Sequence, residues 1–218
     1  MKKLVLFDLD GTLVNTLFDL ADSCNYTLEH YGFPTHKTER YKYFVGDGMP
    51  KLIENILPKD KYTEELHSEC LTFFKKRYSE HYMDKSCVYD GIKELLTQLK
   101  KRGFKIGVLS NKAHEMTAVI VEELFGKDFF DAVYGKVDDY PTKPDPTLGL
   151  KIINDLGLTP DDTVFIGDSG NDAKISVNLN CIGIGVLWGF RSEKELRMCG
   201  ADYIVNKPLE ILNILEEI

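Results

Sequence analysis

Leu4-Val5-Leu6-Phe7-Asp8-Leu9-Asp10-Gly11-Thr12 is a short apolar run that stops abruptly at two acids and a glycine. Four consecutive apolar residues without alternation suit a parallel strand covered by helices on both faces. Similar runs recur at 106–109, 163–166 and 182–186, with weaker ones at 132–134 and 203–205. Helical stripes lie between them: Ile92, Leu95, Leu96 and Leu99; Met116, Val119, Ile120 and Leu124; Ile152, Ile153 and Leu156; Leu209, Leu212 and Leu215. Strand and helix in alternation predict an α/β fold with a doubly wound, mainly parallel sheet, a Rossmann-like core.

The stretch directly after the first strand breaks that rhythm. Leu17, Leu20, Cys24, Leu28 and Tyr31, then Leu52, Ile53 and Ile56, then Leu66, Cys70, Phe73 and Phe74 read only as helices. Gly32-Phe33-Pro34 and Gly46-Asp47-Gly48 read as loops between them. The expected division is a core of 1–15 and 85–218 with a small α-helical domain, 16–84, inserted between. Such an insert would sit over the carboxyl ends of the strands, where open α/β sheets bind ligands. Its crossings, near Thr16 and 83–89, would be the hinge.

Charge narrows the partners. Lys+Arg 27 against Asp+Glu 35 gives a net charge of −8, which opposes binding to nucleic-acid backbones or anionic membranes. A local cation can still serve a small anionic substrate. Cys24, Cys70, Cys87, Cys181 and Cys199 form no CxxC pair, so reduced thiols in a cytoplasmic protein are expected. Asp8 and Asp10 cut the first apolar run too short for a signal peptide, and no window approaches the ~18 apolar residues of a membrane span.

The chemistry lies just past the strand ends. Asp8 and Asp10 follow the first strand, Ser110-Asn111 the second, Lys143-Pro144-Asp145-Pro146 the weak third, and Gly167-Asp168-Ser169-Gly170-Asn171-Asp172 the fourth. Neighbouring parallel strands end side by side, so these residues should converge on one crevice. Asp8, Asp10 and Asp168 offer the hard oxygen ligands that Mg²⁺ prefers. A carboxylate is ionised at neutral pH and can attack phosphorus, so one of Asp8 and Asp10 would be the nucleophile and the other the proton donor. Lys143 would neutralise phosphoryl oxygens and Ser110 would hydrogen-bond one. Gly11 and the amides after it can approach a phosphate closely.

In order and context these segments resemble the four motifs of haloacid dehalogenase-like phosphatases, over essentially the whole chain and including a helical cap after the first motif. The resemblance implies that Asp8 is the nucleophile and Asp10 the general acid and base. It further implies that Asp8, Asp168 and the Asp10 backbone carbonyl hold Mg²⁺, and that Asp172 supports the metal and Lys143. Ser110-Asn111-Lys112, Lys143-Pro144-Asp145-Pro146 and 185–192 leading to Gly200-Ala201-Asp202 look like the phosphoglycolate phosphatase subgroup. The expected activity is therefore Mg²⁺-dependent hydrolysis of a small phosphorylated metabolite, with 2-phosphoglycolate leading, by a monomer or homodimer. Gly11, Thr12 and Asn111, with Gly46 in the cap loop, are expected to touch the substrate. Asn15 stands where relatives often carry Asp and is read as a cap or hinge of the linker.

Competing readings use the same residues. A pyrophosphatase, a nucleotidase or a β-phosphoglucomutase-like phosphomutase would share the machinery. A phospho-Asp signalling receiver also needs an acidic pair, a hydroxyl and a lysine, but its phospho-Asp would follow a middle strand and it needs no helical insert. Ser110-Asn111 has a plainer reading as the N-cap of the following helix, and Asp172 as a first-turn acid. Trp188 reads as packing. The five histidines show no metal spacing, and Gly183-Ile184-Gly185 lacks the third glycine of a dinucleotide fingerprint.

Overall fold

The computed structural model describes residues 2–218. Along the chain come β1 (Leu4–Phe7), β2 (Val14–Asn15), α1 (Leu17–His30), α2 (Met49–Ile56), α3 (Glu64–His81) and β3 (Cys87–Val88). Then follow α4 (Ile92–Lys101), β4 (Lys105–Ala113), α5 (His114–Phe125), β5 (Ala132–Lys136), α6 (Thr147–Asp155) and β6 (Thr163–Gly167). The chain closes with α7 (Gly170–Leu179), β7 (Ile182–Val186), α8 (Glu193–Met198), β8 (Tyr203–Val205) and α9 (Glu210–Glu217). Six strands form a parallel sheet in the order β5-β4-β1-β6-β7-β8. The direction of strand addition reverses at β1, which makes its carboxyl end a topological switch point.

The unbroken apolar run of β1 is explained by its two buried faces. Val5 and Phe7 pack with Ile106, Val108, Val164 and Ile166 under α4 and α9, whose Ile92, Leu95, Ile211 and Leu215 complete that layer. Leu4 and Leu6 point the other way, as the pleat demands, and pack with Phe165 against Ile152 of α6 and Ile175 of α7. α1, α2 and α3 enclose a separate core of Leu20, Cys24, Leu28, Ile53, Cys70 and Phe74, into which Phe190 from the loop after β7 also projects. Val14 and Asn15 pair antiparallel with Val88 and Cys87, so both chain crossings into the helical unit run as a two-stranded ribbon.

Three details differ from the sequence expectation. β4 continues through Ser110, Asn111 and Lys112, and the N-cap of α5 is Ala113, so Ser110-Asn111 caps no helix there. Val119 is exposed while Ile120 and Val121 are buried. Leu209 is likewise exposed at the N-cap of α9, where Ile211 and Leu212 supply the apolar face. No helix among the described residues is long and apolar enough to cross a membrane.

Candidate active site

Asp8 is the first residue past β1, and its amide still donates to the Ile166 carbonyl at 2.9 Å, so the sheet ladder fixes where it leaves the strand. Its Oδ1 lies 2.7 Å from Lys143 Nζ, and the same Nζ lies 2.7 Å from Asp172 Oδ1. Asp8, Asp168 and Asp172 bring carboxylate oxygens within 4.8 Å of one another, and all three are buried.

Each member is held by its local sequence. Asp172 is the third residue of α7 and closes a capping box, its Oδ2 accepting from Ser169 N at 2.9 Å and Ser169 Oγ at 2.6 Å. Helix capping and lysine binding are therefore both done by Asp172, one carboxylate oxygen each. Asp168 Oδ2 accepts from Phe190 N at 2.7 Å, and Thr12 Oγ1 donates to Asp168 Oδ1 at 3.3 Å. Gly11 has φ of +89°, and a Cβ there would come 2.5 Å from Asp168 Oδ2. Only glycine satisfies both that conformation and that approach.

Asp10 has a different set of partners. Its Oδ1 accepts from Thr16 Oγ1 at 2.7 Å, and Lys112 Nζ stands 3.2 Å from both carboxylate oxygens. Lys112 also donates to Tyr78 Oη at 2.8 Å, which ties Asp10 to helix α3 of the insert. Asn111 bridges in the same direction: its Nδ2 donates to the Gly46 carbonyl at 3.0 Å and to the Lys143 carbonyl at 3.1 Å, and its Oδ1 accepts from Lys143 N at 2.8 Å. Ser110 is buried beside them, its Oγ accepting from Lys112 N at 3.3 Å.

The cleft these residues line is small, about 40 Å³, room for a compact ligand or a few waters rather than a bulky one. Asp8, Asp10, Ser110, Asn111, Lys143, Asp168 and Gly46 all face it; Gly11, Thr12 and Asp172 support it from behind. Lys112, Thr16, Tyr78 and Arg191 were not singled out as site residues from sequence. Lysine and arginine read as solvated, and Lys112, between Ser110-Asn111 and Ala113-His114, carries no mark in the sequence of its burial. Trp188 packs as expected, and its Nε1 also donates to the Thr12 carbonyl at 2.9 Å. Asn15 Oδ1 accepts from Leu17 N at 3.4 Å where α1 begins.

Three carboxylates against one ammonium leave the cluster short of positive charge. Burial, with Asp172 and Asp10 adding to it against Lys143, pushes Asp8 up to about 7. Asp168 is raised well above the usual carboxylate range by burial first and then by Asp172 and Asp8. Burial would lower Lys143, but the Asp172 and Asp8 charges outweigh it and hold the ammonium protonated. A hard divalent cation is the group such an oxygen-only, electron-rich pocket fits. The residues present suit Mg²⁺ well.

Residues 5–186 match the family described as haloacid dehalogenase-like hydrolase. A phosphoglycolate phosphatase of Chromobacterium violaceum is 33% identical, over 98% of this chain and 96% of that one. A pyrophosphatase of Bacillus mycoides is 30% identical, over 98% of this chain and 97% of its own. Among solved structures, a candidate phosphoglycolate phosphatase of Lactobacillus delbrueckii superposes with a TM-score of 0.92 at 30% identity, covering 99% of each chain.

Proposed function

The chain belongs to the haloacid dehalogenase-like hydrolases, and from that premise we propose that it is a Mg²⁺-dependent phosphatase hydrolysing 2-phosphoglycolate through an aspartyl-phosphate on Asp8. The observation that carries this reading is the Asp8–Lys143 pair at 2.7 Å inside the buried carboxylate cluster. It supplies a nucleophilic oxygen and a fixed positive charge for the phosphoryl oxygens at one point.

In the first step an Asp8 carboxylate oxygen attacks phosphorus and the bond to the ester oxygen breaks. Asp10 gives its proton to the departing alkoxide, held in place by Thr16. Lys143 stabilises the charge on the transferring group, and Ser110 Oγ hydrogen-bonds one of its oxygens. In the second step water attacks the phosphoryl phosphorus, Asp10 takes the water's proton, and phosphate leaves with Asp8 regenerated. Mg²⁺, held by Asp8, Asp168 and the Asp10 backbone carbonyl with Asp172 alongside, would supply Lewis-acid polarisation and offset the carboxylate charge.

The helical insert of 16–84 acts as a cap domain in this reading. Asn111 to Gly46 and Asn171 to Asp47, at 3.0 and 2.7 Å, are among the bonds that opening would break, together with Lys112 to Tyr78 and Arg191 to Val45. Closure excludes water from the first step and opening releases product. Five free thiols suit a reducing compartment, so we place the enzyme in the cytoplasm.

The test is phosphate release with Mg²⁺ across 2-phosphoglycolate, pyrophosphate, hexose phosphates and nucleoside monophosphates. Selective turnover of phosphoglycolate, stopped by EDTA and restored by Mg²⁺, is the expected result. Full activity in chelator would refute the metal role. Selectivity for pyrophosphate, the reading favoured by the Bacillus relative, would keep the chemistry and replace the substrate.

A further inference from the structure

Three cationic side chains line the cleft, and two are fully engaged: Lys143 by Asp8 and Asp172, Lys112 by Asp10 and Tyr78. The third, Arg191, is not. Its Nη2 donates to the Val45 carbonyl at 2.9 Å and its Nε lies 3.3 Å from a Glu195 carboxylate oxygen. Its Nη1 is buried and has no hydrogen-bond partner among the described residues. Buried donors are nearly always satisfied, so an unpaired nitrogen on an arginine that lines the cleft is a donor in want of an acceptor.

The position of Arg191 is set by the cluster itself. Phe190 N is bonded to Asp168, and a side chain at Gly189 would collide with that same carboxylate, so the loop is pressed onto the site immediately before Arg191. The rest of the cleft's contents speak to the kind of ligand. The insert contributes Leu20, Val45, Gly46, Gly48, Met49 and Leu52, none with a polar side chain. Such a wall offers no side-chain partner to the hydroxyls of a sugar or a ribose. It suits a short leaving group whose one polar feature is met by Arg191.

We propose that Arg191 is a substrate-binding residue that receives a second anionic group, carboxylate or phosphate, on the leaving half of the substrate. This rests on the phosphatase reading and gives it a specificity determinant: a planar fork with an open donor prefers an anion to a hydroxyl.

The experiment compares kcat/KM for 2-phosphoglycolate, pyrophosphate and 2-hydroxyethyl phosphate, whose leaving half is uncharged, in wild type, Arg191→Met and Arg191→Lys. The ratio of a substrate with an anionic leaving half to 2-hydroxyethyl phosphate should fall about 10- to 100-fold in Arg191→Met, the loss of one charge-assisted contact, and recover in part in Arg191→Lys. A fall confined to phosphoglycolate identifies the second anion as a carboxylate, and one confined to pyrophosphate as a phosphate. An unmoved ratio in both would overturn the proposal and leave Arg191 as a prop for the Val45 loop. Calorimetry with 3-phosphonopropionate and propylphosphonate separates this from the hydrolytic reading. If wild type turns over no ester yet prefers the carboxylated phosphonate, and Arg191→Met loses that preference, the anion site stands and the hydrolytic reading falls.

Discussion

At the residue scale, the site is organised by unequal treatment of similar groups. Asp8 and Asp10 are two positions apart, yet one meets Lys143 among carboxylates and the other meets Thr16 and Lys112. The raised Asp8 has a consequence for the metal-free protein. Its ordinary value of 3.8 is carried to about 7 by burial, so between those limits the folded chain binds more protons than the unfolded chain. Stability must then fall as pH rises through that window. We predict that the melting temperature of the EDTA-treated protein drops from pH 5 to pH 8 by this contribution, and that saturating Mg²⁺ flattens the drop. Equal slopes with and without Mg²⁺ would show that the carboxylate cluster does not bind the ion. Much of the cluster was legible in sequence, because acids placed just after apolar runs have few other uses. Lys112 was not, since nothing in the linear sequence separates a lysine buried against Asp10 and Tyr78 from one in solvent.

At the element scale, the helical insert is fastened to the sheet domain by Asp19, in the first turn of α1. Its carboxylate is buried and accepts from Lys85 N, Ser86 N and Ser86 Oγ at 2.7–3.0 Å, so it staples the return crossing to the outgoing one. Removing it strands buried donors, and Asp19→Ala should cost about 2 kcal/mol in urea unfolding, with Asp19→Asn losing less. A loss below about 0.5 kcal/mol, the range of ordinary surface substitutions, would show that the staple carries no load. The ribbon of β2 and β3 beside it was invisible in sequence because two residues per strand carry no periodicity. β4 was underestimated for a different reason. Ser110, Asn111 and Lys112 are polar and read as a loop, yet they lie within the strand, across an irregularity in its pairing with β5 that ends at Ala113, and their side chains are held by site partners rather than by solvent.

For the whole molecule, β1, β6, β7 and the first half of β4 were readable because burial on both faces writes an apolar run, while β8, half-exposed at the sheet edge, left only a weak one; the insert was readable as helices in a place where alternation should have continued. The parallel order β5-β4-β1-β6-β7-β8 then sets the ends of β4, β1 and β6 side by side, which is why residues more than a hundred positions apart meet. Everything in the functional account depends on a covalent phosphoryl transfer to the first acid after β1. The most direct test is borohydride trapping during turnover of 2-phosphoglycolate, followed by peptide mass spectrometry. Reduction of an acyl phosphate converts aspartate to homoserine, and the account predicts that conversion at position 8 alone, and none in Asp8→Asn protein. Turnover with an unmodified Asp8, or homoserine at position 10, 168 or 172, would contradict it.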